Sequence, residues 1–133
     1  MRSKKTSFAS SLSNALSGLV HLLRSERNFQ IEVAALLLNL VLIVVLEVPL
    51  LKTLMILSVC LLVLFAETLN TAVEKLCDAL HPSHHPTIGL VKDLCAGAVL
   101  LCAALALIVG VVVYYPYIAA LLLRENSGLC FTP

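Results

Sequence analysis

The sequence predicts an all-α membrane protein with three transmembrane helices per chain and an N-terminal amphipathic helix at the membrane surface. Two observations carry that expectation. Of 133 residues, 60% are hydrophobic and only 13% charged, with a mean hydropathy of +1.02, a balance that soluble domains of this size do not normally show. The apolar residues are also gathered into three runs, about 31–48, 53–80 and 91–123, parted by short breaks that contain proline. Each run is long enough for a helix to cross hydrocarbon about 30 Å thick.

Residues 6–24 come first. Phe8, Leu12, Ala15, Leu16, Leu19, Leu22 and Leu23 recur at spacings of three and four against Ser10, Ser13, Asn14, Ser17 and Arg24. Such a helix can lie in the headgroup layer, and packing on a partner helix is the plain alternative. With its flanks it makes an N-terminal segment, 1–30. The first span closes at Glu47-Val48-Pro49, where proline breaks the helix. The second, at 1.5 Å per residue, is about 40 Å long, so its last three turns should project beyond the hydrocarbon. From His81 to Gly89, prolines, a glycine and polar residues predict a loop. The third span opens with Lys92-Asp93 and is apolar from Leu94. Its Gly97, Ala98, Ala103, Ala104 and Ala106 allow close helix contact, and Tyr114, Tyr115 and Tyr117 around Pro116 suit an interfacial belt. Residues 124–133 read as a polar tail. No internal repeat, soluble domain or cleavable signal is evident.

Charge placement gives an orientation. Arg2, Lys4, Lys5, Arg24 and Arg27 precede the first span, and Lys75 and Lys92 flank the second connection, whereas Lys52 and Arg124 stand alone on the other side. By the positive-inside rule the N-terminus faces the cytoplasm. Basic residues are too few, and lack aromatic interleaving, for a nucleic-acid groove, so no nucleic acid partner is expected. The five cysteines (Cys60, Cys77, Cys95, Cys102, Cys130) show no metal spacing, and those within the spans read as small buried hydrophobes.

The chemistry lies in the second span. At 100° per residue Glu67, Asn70, Glu74 and Asp78 fall within about 80° of one another and form one polar stripe. A charge deep in a bilayer costs on the order of 3 kcal/mol even on the lenient insertion scale, so Glu67 reads as functional rather than structural. Taken singly, Glu74 and Asp78 could be solvated helix-end residues, Asn70 interhelical glue and Lys92 a positive-inside anchor. His81, His84 and His85 have no regular ligand spacing and read as surface histidines before a zinc site. Glu26 and Glu32 frame the start of the first span on the same side. Carboxylates beside a lysine at a membrane surface suit phosphoryl transfer, where carboxylates hold Mg²⁺, lysine neutralises phosphate oxygens and another carboxylate takes the proton of the attacking hydroxyl.

With these residues in view, the chain from about Asn14 to Tyr117 resembles the prokaryotic diacylglycerol kinase and undecaprenol kinase family, small integral membrane lipid kinases. The resemblance is carried by Glu67-Thr68-Leu69-Asn70-Thr71-Ala72-Val73-Glu74 with Asp78, by His85-Pro86 followed by Lys92-Asp93-Leu94-Cys95-Ala96-Gly97-Ala98-Val99, and by Glu26-Arg27-Asn28-Phe29. It implies a homotrimer in the bacterial inner membrane that binds ATP and Mg²⁺ at the cytoplasmic face and phosphorylates a membrane lipid alcohol, diacylglycerol or undecaprenol. Carried over by position, Glu67 is the general base, Glu26 and Glu74 hold the metal and the nucleotide phosphates, Asn70 orders the site, and Lys92, Asp93 and His85 contact the nucleotide. Ser7, Asn14 and Ala96 depart from residues that some diacylglycerol kinases carry, which leaves the acceptor lipid open. A small proton-coupled exporter is the alternative, disfavoured because the polar residues cluster at one membrane face; a purely structural subunit leaves Glu67 unexplained.

Overall fold

A computed structural model describes residues 7–81, 83 and 85–128, with backbone alone for 124–128. Those residues form four helices and no strand: α1 (Phe8–Ser25), α2 (Arg27–Val45), α3 (Leu50–Leu80) and α4 (Pro86–Gly128). The stretches Arg27–Val45, Leu50–Leu80 and Pro86–Leu123 are each long and apolar enough to cross a membrane. α3 packs chiefly against α4 and less against α2, while α1 packs on α2.

The amphipathic pattern of α1 forms the expected helix, and of its apolar stripe only Leu22 is buried; Phe8, Leu12, Leu16 and Leu19 stay exposed. An exposed apolar stripe beside three spanning helices suits a helix lying in the headgroup layer. α2 begins at Arg27, four residues before the first apolar run, because one extended residue suffices to turn the chain. Glu26 (φ −110°, ψ 113°) closes α1 by donating its N–H to Leu22 O (2.9 Å), and Gln30 Nε2 of α2 donates to Leu23 O (3.1 Å). Polar residues of the first α2 turn thus satisfy carbonyls orphaned at the end of α1. Leu22 and Phe29, both buried, pin this junction.

At the opposite end the α2–α3 turn is tight. Glu47 takes φ 50°, Val48 N–H donates to Ile43 O (3.0 Å), and Pro49 opens α3 from the N-cap position, ahead of the expected start near Thr53. Thr53 Oγ1 then donates to Val48 O (3.1 Å). Val48, Ile56 and Val113 form the buried core here, with Cys60, Tyr114 and Tyr117 packed against it. Lys52 Nζ sits 5.1 Å from the centre of the Tyr117 ring, a cation–π contact at the tyrosine belt.

α4 exceeds its expected bounds at both ends. The loop expected over His81–Gly89 ends at His85, because Pro86 occupies the first helical position, where its missing N–H costs nothing. The helix then continues through Pro116 to Gly128, into the segment read as a polar tail; residues 129–133 of that tail lie outside the described residues. Membrane helices tolerate such a proline because neighbouring groups compensate the freed carbonyl.

Candidate active site at the junction end of the helices

The site is built where the α1–α2 junction meets the last turns of α3. Glu67 is only 4% exposed, Asn70 7% and Thr71 3%, so the stripe read from spacing is buried at its deep end. Asn70 Nδ2 donates to Glu74 Oε1 (3.2 Å), one turn further along α3. Its Oδ1 is buried without a hydrogen-bond partner among the described residues. A buried oxygen left unpaired costs about 1–3 kcal/mol, which a ligand donor or cation could recover.

Two further elements close on this stripe. Glu26, from the junction, and Glu74 both act electrostatically on the Glu67 carboxyl, and Asn28 of α2 is its polar neighbour. Glu26 in turn accepts from Lys75 Nζ (2.8 Å) across 49 residues of sequence. This ammonium is the main reason the Glu26 carboxyl is held below the usual carboxylate range; Ser25 Oγ, which donates to it (3.2 Å), adds to the effect. Asp78 accepts from Lys92 Nζ, tying the start of α4 to the end of the stripe, and Glu74 also acts on that lysine.

Glu26, Glu67, Asn70, Glu74 and Lys92 are therefore brought into one neighbourhood. Asp93 is exposed on the adjacent turn and joins no hydrogen bond or ion pair among the described residues, and the exposed His85 stacks on His81 (ring centres 5.3 Å apart) rather than on the carboxylates. Sequence reasoning gave no site role to Lys75 or Asn28, and grouped Glu32 with the carboxylates of this face without a role of its own. Lys75 lies 100° off the stripe beside Glu74, so only the fold shows that it meets Glu26.

Among the described residues no group of three His, Cys, Asp or Glu side chains could hold a metal ion. Mg²⁺ is commonly held by one or two carboxylates together with substrate phosphates rather than by an all-protein cage. Glu26 and Glu74, with the unpartnered Asn70 Oδ1 beside them, fit such a partial ligand set.

An intramembrane groove leads away from this site. A cavity of about 620 Å³ lies between α2, α3 and α4, floored by Ile56, Val59, Cys60 and Val63 and walled by Ala35, Leu42, Ala103, Ala106 and Gly110. Glu32 lines one end, where its Oε2 is buried without a hydrogen-bond partner among the described residues and the Glu67 carboxyl acts on it. Part way along, Tyr114 OH donates to Asn39 Oδ1 (2.9 Å), joining α4 to α2. The lone amide of Asn39 in an apolar run was a signal open to sequence reading, since polar residues inside spans commonly bond across helices.

The family described as prokaryotic diacylglycerol kinase matches residues 13–114 of this chain. Undecaprenol kinase from Bacillus subtilis (strain 168) is 31% identical over 115 residues, covering 86% of this chain and 94% of that protein. The family match spans the junction, the α3 stripe and the groove as far as Tyr114.

Proposed function

Because the chain belongs to the prokaryotic diacylglycerol kinase family and is a membrane lipid kinase, we propose that it transfers the γ-phosphoryl group of ATP to a lipid alcohol at the junction end of its helices. Diacylglycerol and undecaprenol are the candidate acceptors. The observation that carries this reading is the buried Glu67, set between the Glu26 and Glu74 carboxylates on one side and the Glu32 end of an apolar groove on the other. Water-soluble nucleotide and lipid-soluble alcohol can meet there, at the polar end of α3 beside the apolar groove.

In this mechanism the acceptor enters from the bilayer with its chain in the groove and its hydroxyl at Glu67. Glu67 takes the hydroxyl proton as the acceptor oxygen bonds to the γ-phosphorus and the bond from phosphorus to the bridging oxygen of ADP breaks. Glu26 and Glu74 would hold Mg²⁺, whose charge would offset that of the phosphates. Asn70 fixes Glu74 through its hydrogen bond. Lys92 is kept by Asp78 where it can meet phosphate oxygens, and Asp93 and His85 reach the nucleotide from the start of α4. The N-terminus and this site face the cytoplasm of a bacterial inner membrane, and three copies assemble; the basic residues at the junction end support the first statement and the resemblance the second.

Family membership sets the exporter reading aside. The test is ATP consumption by the purified protein in detergent micelles with Mg²⁺, with undecaprenol, with diacylglycerol and without acceptor. Turnover that needs one of the alcohols is expected; ATP consumption indifferent to added lipid would remove the proposal.

A further inference from the structure

The groove is not uniform along its length. From Glu32 to Asn39 the α2 wall advances seven residues, about 10 Å at the helical rise. There the Asn39 carboxamide is held at both ends, its Nδ2 donating to Ala35 O (2.9 Å) and its Oδ1 accepting from Tyr114 OH (2.9 Å). Tyr114 and the floor residue Cys60 pack against the same core cluster, and Asn39 and Tyr114 both line the cavity, so the bond crosses it from α2 to α4. Leu42 and Ile118, one turn further along their helices, continue the lining past the bond. Nearer the site, Gly110 borders the cavity, and a Cβ added there would meet no atom within 4 Å. The glycine leaves space instead of bringing two helices together.

The chemistry of the lining says what fills it. One end offers the Glu32 carboxylate, with an oxygen unpartnered among the described residues and the Glu67 carboxyl near enough to act on it, and the rest of the lining is mostly hydrocarbon. That polarity matches an amphiphile with one hydroxyl end and one apolar tail; a helix of a second copy has no use for a carboxylate at one end. We propose that the Asn39–Tyr114 hydrogen bond is a stop in the acceptor groove, setting how far a lipid chain runs along α3 before it must turn out into the bilayer, and so selecting acceptors by chain length. The inference rests on the reading that the groove receives the acceptor chain. An eight-carbon acyl chain ends near the stop, whereas longer chains must bend around it.

The experiment compares matched acceptors, dioctanoylglycerol with dioleoylglycerol and farnesol with undecaprenol, in mixed micelles with parent, Asn39→Ala, Tyr114→Phe and Gly110→Leu proteins. Removing the bond should raise the long-to-short ratio of kcat/KM by about threefold to tenfold. That is below the 10-fold to 200-fold known for one methylene in a water-facing pocket, because the chain here is exchanged with bilayer hydrocarbon rather than with water. Gly110→Leu, which fills the groove on the near side of the stop, should raise KM for both long acceptors while KM for ATP stays near the parent value. A ratio unchanged in Asn39→Ala and Tyr114→Phe, with long and short acceptors lowered alike, would mean that the bond only holds α2 to α4 and would overturn the proposal. Should Asn39→Ala fail to accumulate, Tyr114→Phe decides, since it keeps the ring and removes the donor. If Gly110→Leu alters no acceptor's KM, or changes only the size of the assembly, the groove is not the acceptor site and the underlying reading falls as well.

Discussion

Glu67 bears a cost that nothing around it relieves in full, since an ionisable group at that depth opposes insertion by on the order of 3 kcal/mol and its neighbours include further carboxylates. If it is the general base, Glu67→Gln should accumulate normally and bind nucleotide, yet lose turnover by about 10²–10⁴, the usual yield of general-base catalysis. Turnover within about tenfold of the parent would count against that role. Glu26 carries a second prediction at this scale. Its carboxyl is held below the ordinary range chiefly by Lys75, so the Glu26–Lys75 tie is complete above that range and is lost only as pH falls through the lowered value. In Lys75→Met the Glu26 titration midpoint, followed by NMR of side-chain-labelled glutamate, should move up toward the ordinary carboxylate value. An unmoved midpoint would mean that Lys75 does not govern that carboxylate.

At the level of helices, periodicity and hydropathy made most of the fold legible before any coordinates. α1 follows its apolar spacing almost residue for residue, and the three spans are where the apolar runs lie. Helix ends lie beyond the apolar runs where chemistry other than hydropathy decides them: Arg27, Asn28 and Gln30 are polar yet helical because Glu26 alone makes the turn, and Pro86 starts α4 rather than lying in a loop. Of the site, the α3 stripe was visible because its members share one helix face, whereas the Glu26–Lys75 and Asp78–Lys92 ties join separate elements and depend on packing. The α2–α3 turn adds a prediction. Glu47 holds φ 50°, a conformation that costs a side-chain-bearing residue roughly 1–2 kcal/mol and glycine almost nothing. Glu47→Gly should therefore raise the thermal midpoint in detergent, by an amount reduced by the greater entropy of glycine in the unfolded chain. A lowered midpoint would show that the Glu47 side chain contributes more than its backbone costs.

For the molecule as a whole, orientation decides whether the chemistry can run. Among the described residues most large apolar side chains of α2, α3 and α4 are exposed and only six hydrophobic residues are buried, so an apolar surrounding rather than an internal core completes the environment of the chain. Which end meets cytosolic ATP is then set by charge. Lys75 and Lys92 pair with Glu26 and Asp78, and Arg24 and Arg27 flank the α1–α2 junction in sequence, while Lys52 stands at the other end beside Tyr117. The positive-inside rule requires the cluster to be cytoplasmic and the α2–α3 turn to be outside. In a protein freed of its native cysteines, Glu47→Cys should react with a membrane-impermeant thiol reagent in intact cells, and Ser83→Cys only after the membrane is opened. Both positions are exposed, so burial does not confound the comparison. Reversed labelling would set Glu26, Glu67 and Glu74 against the outer solution, away from ATP, and would leave the proposed transfer without its phosphoryl donor; labelling of both positions from one side would mean that α3 does not cross the membrane at all.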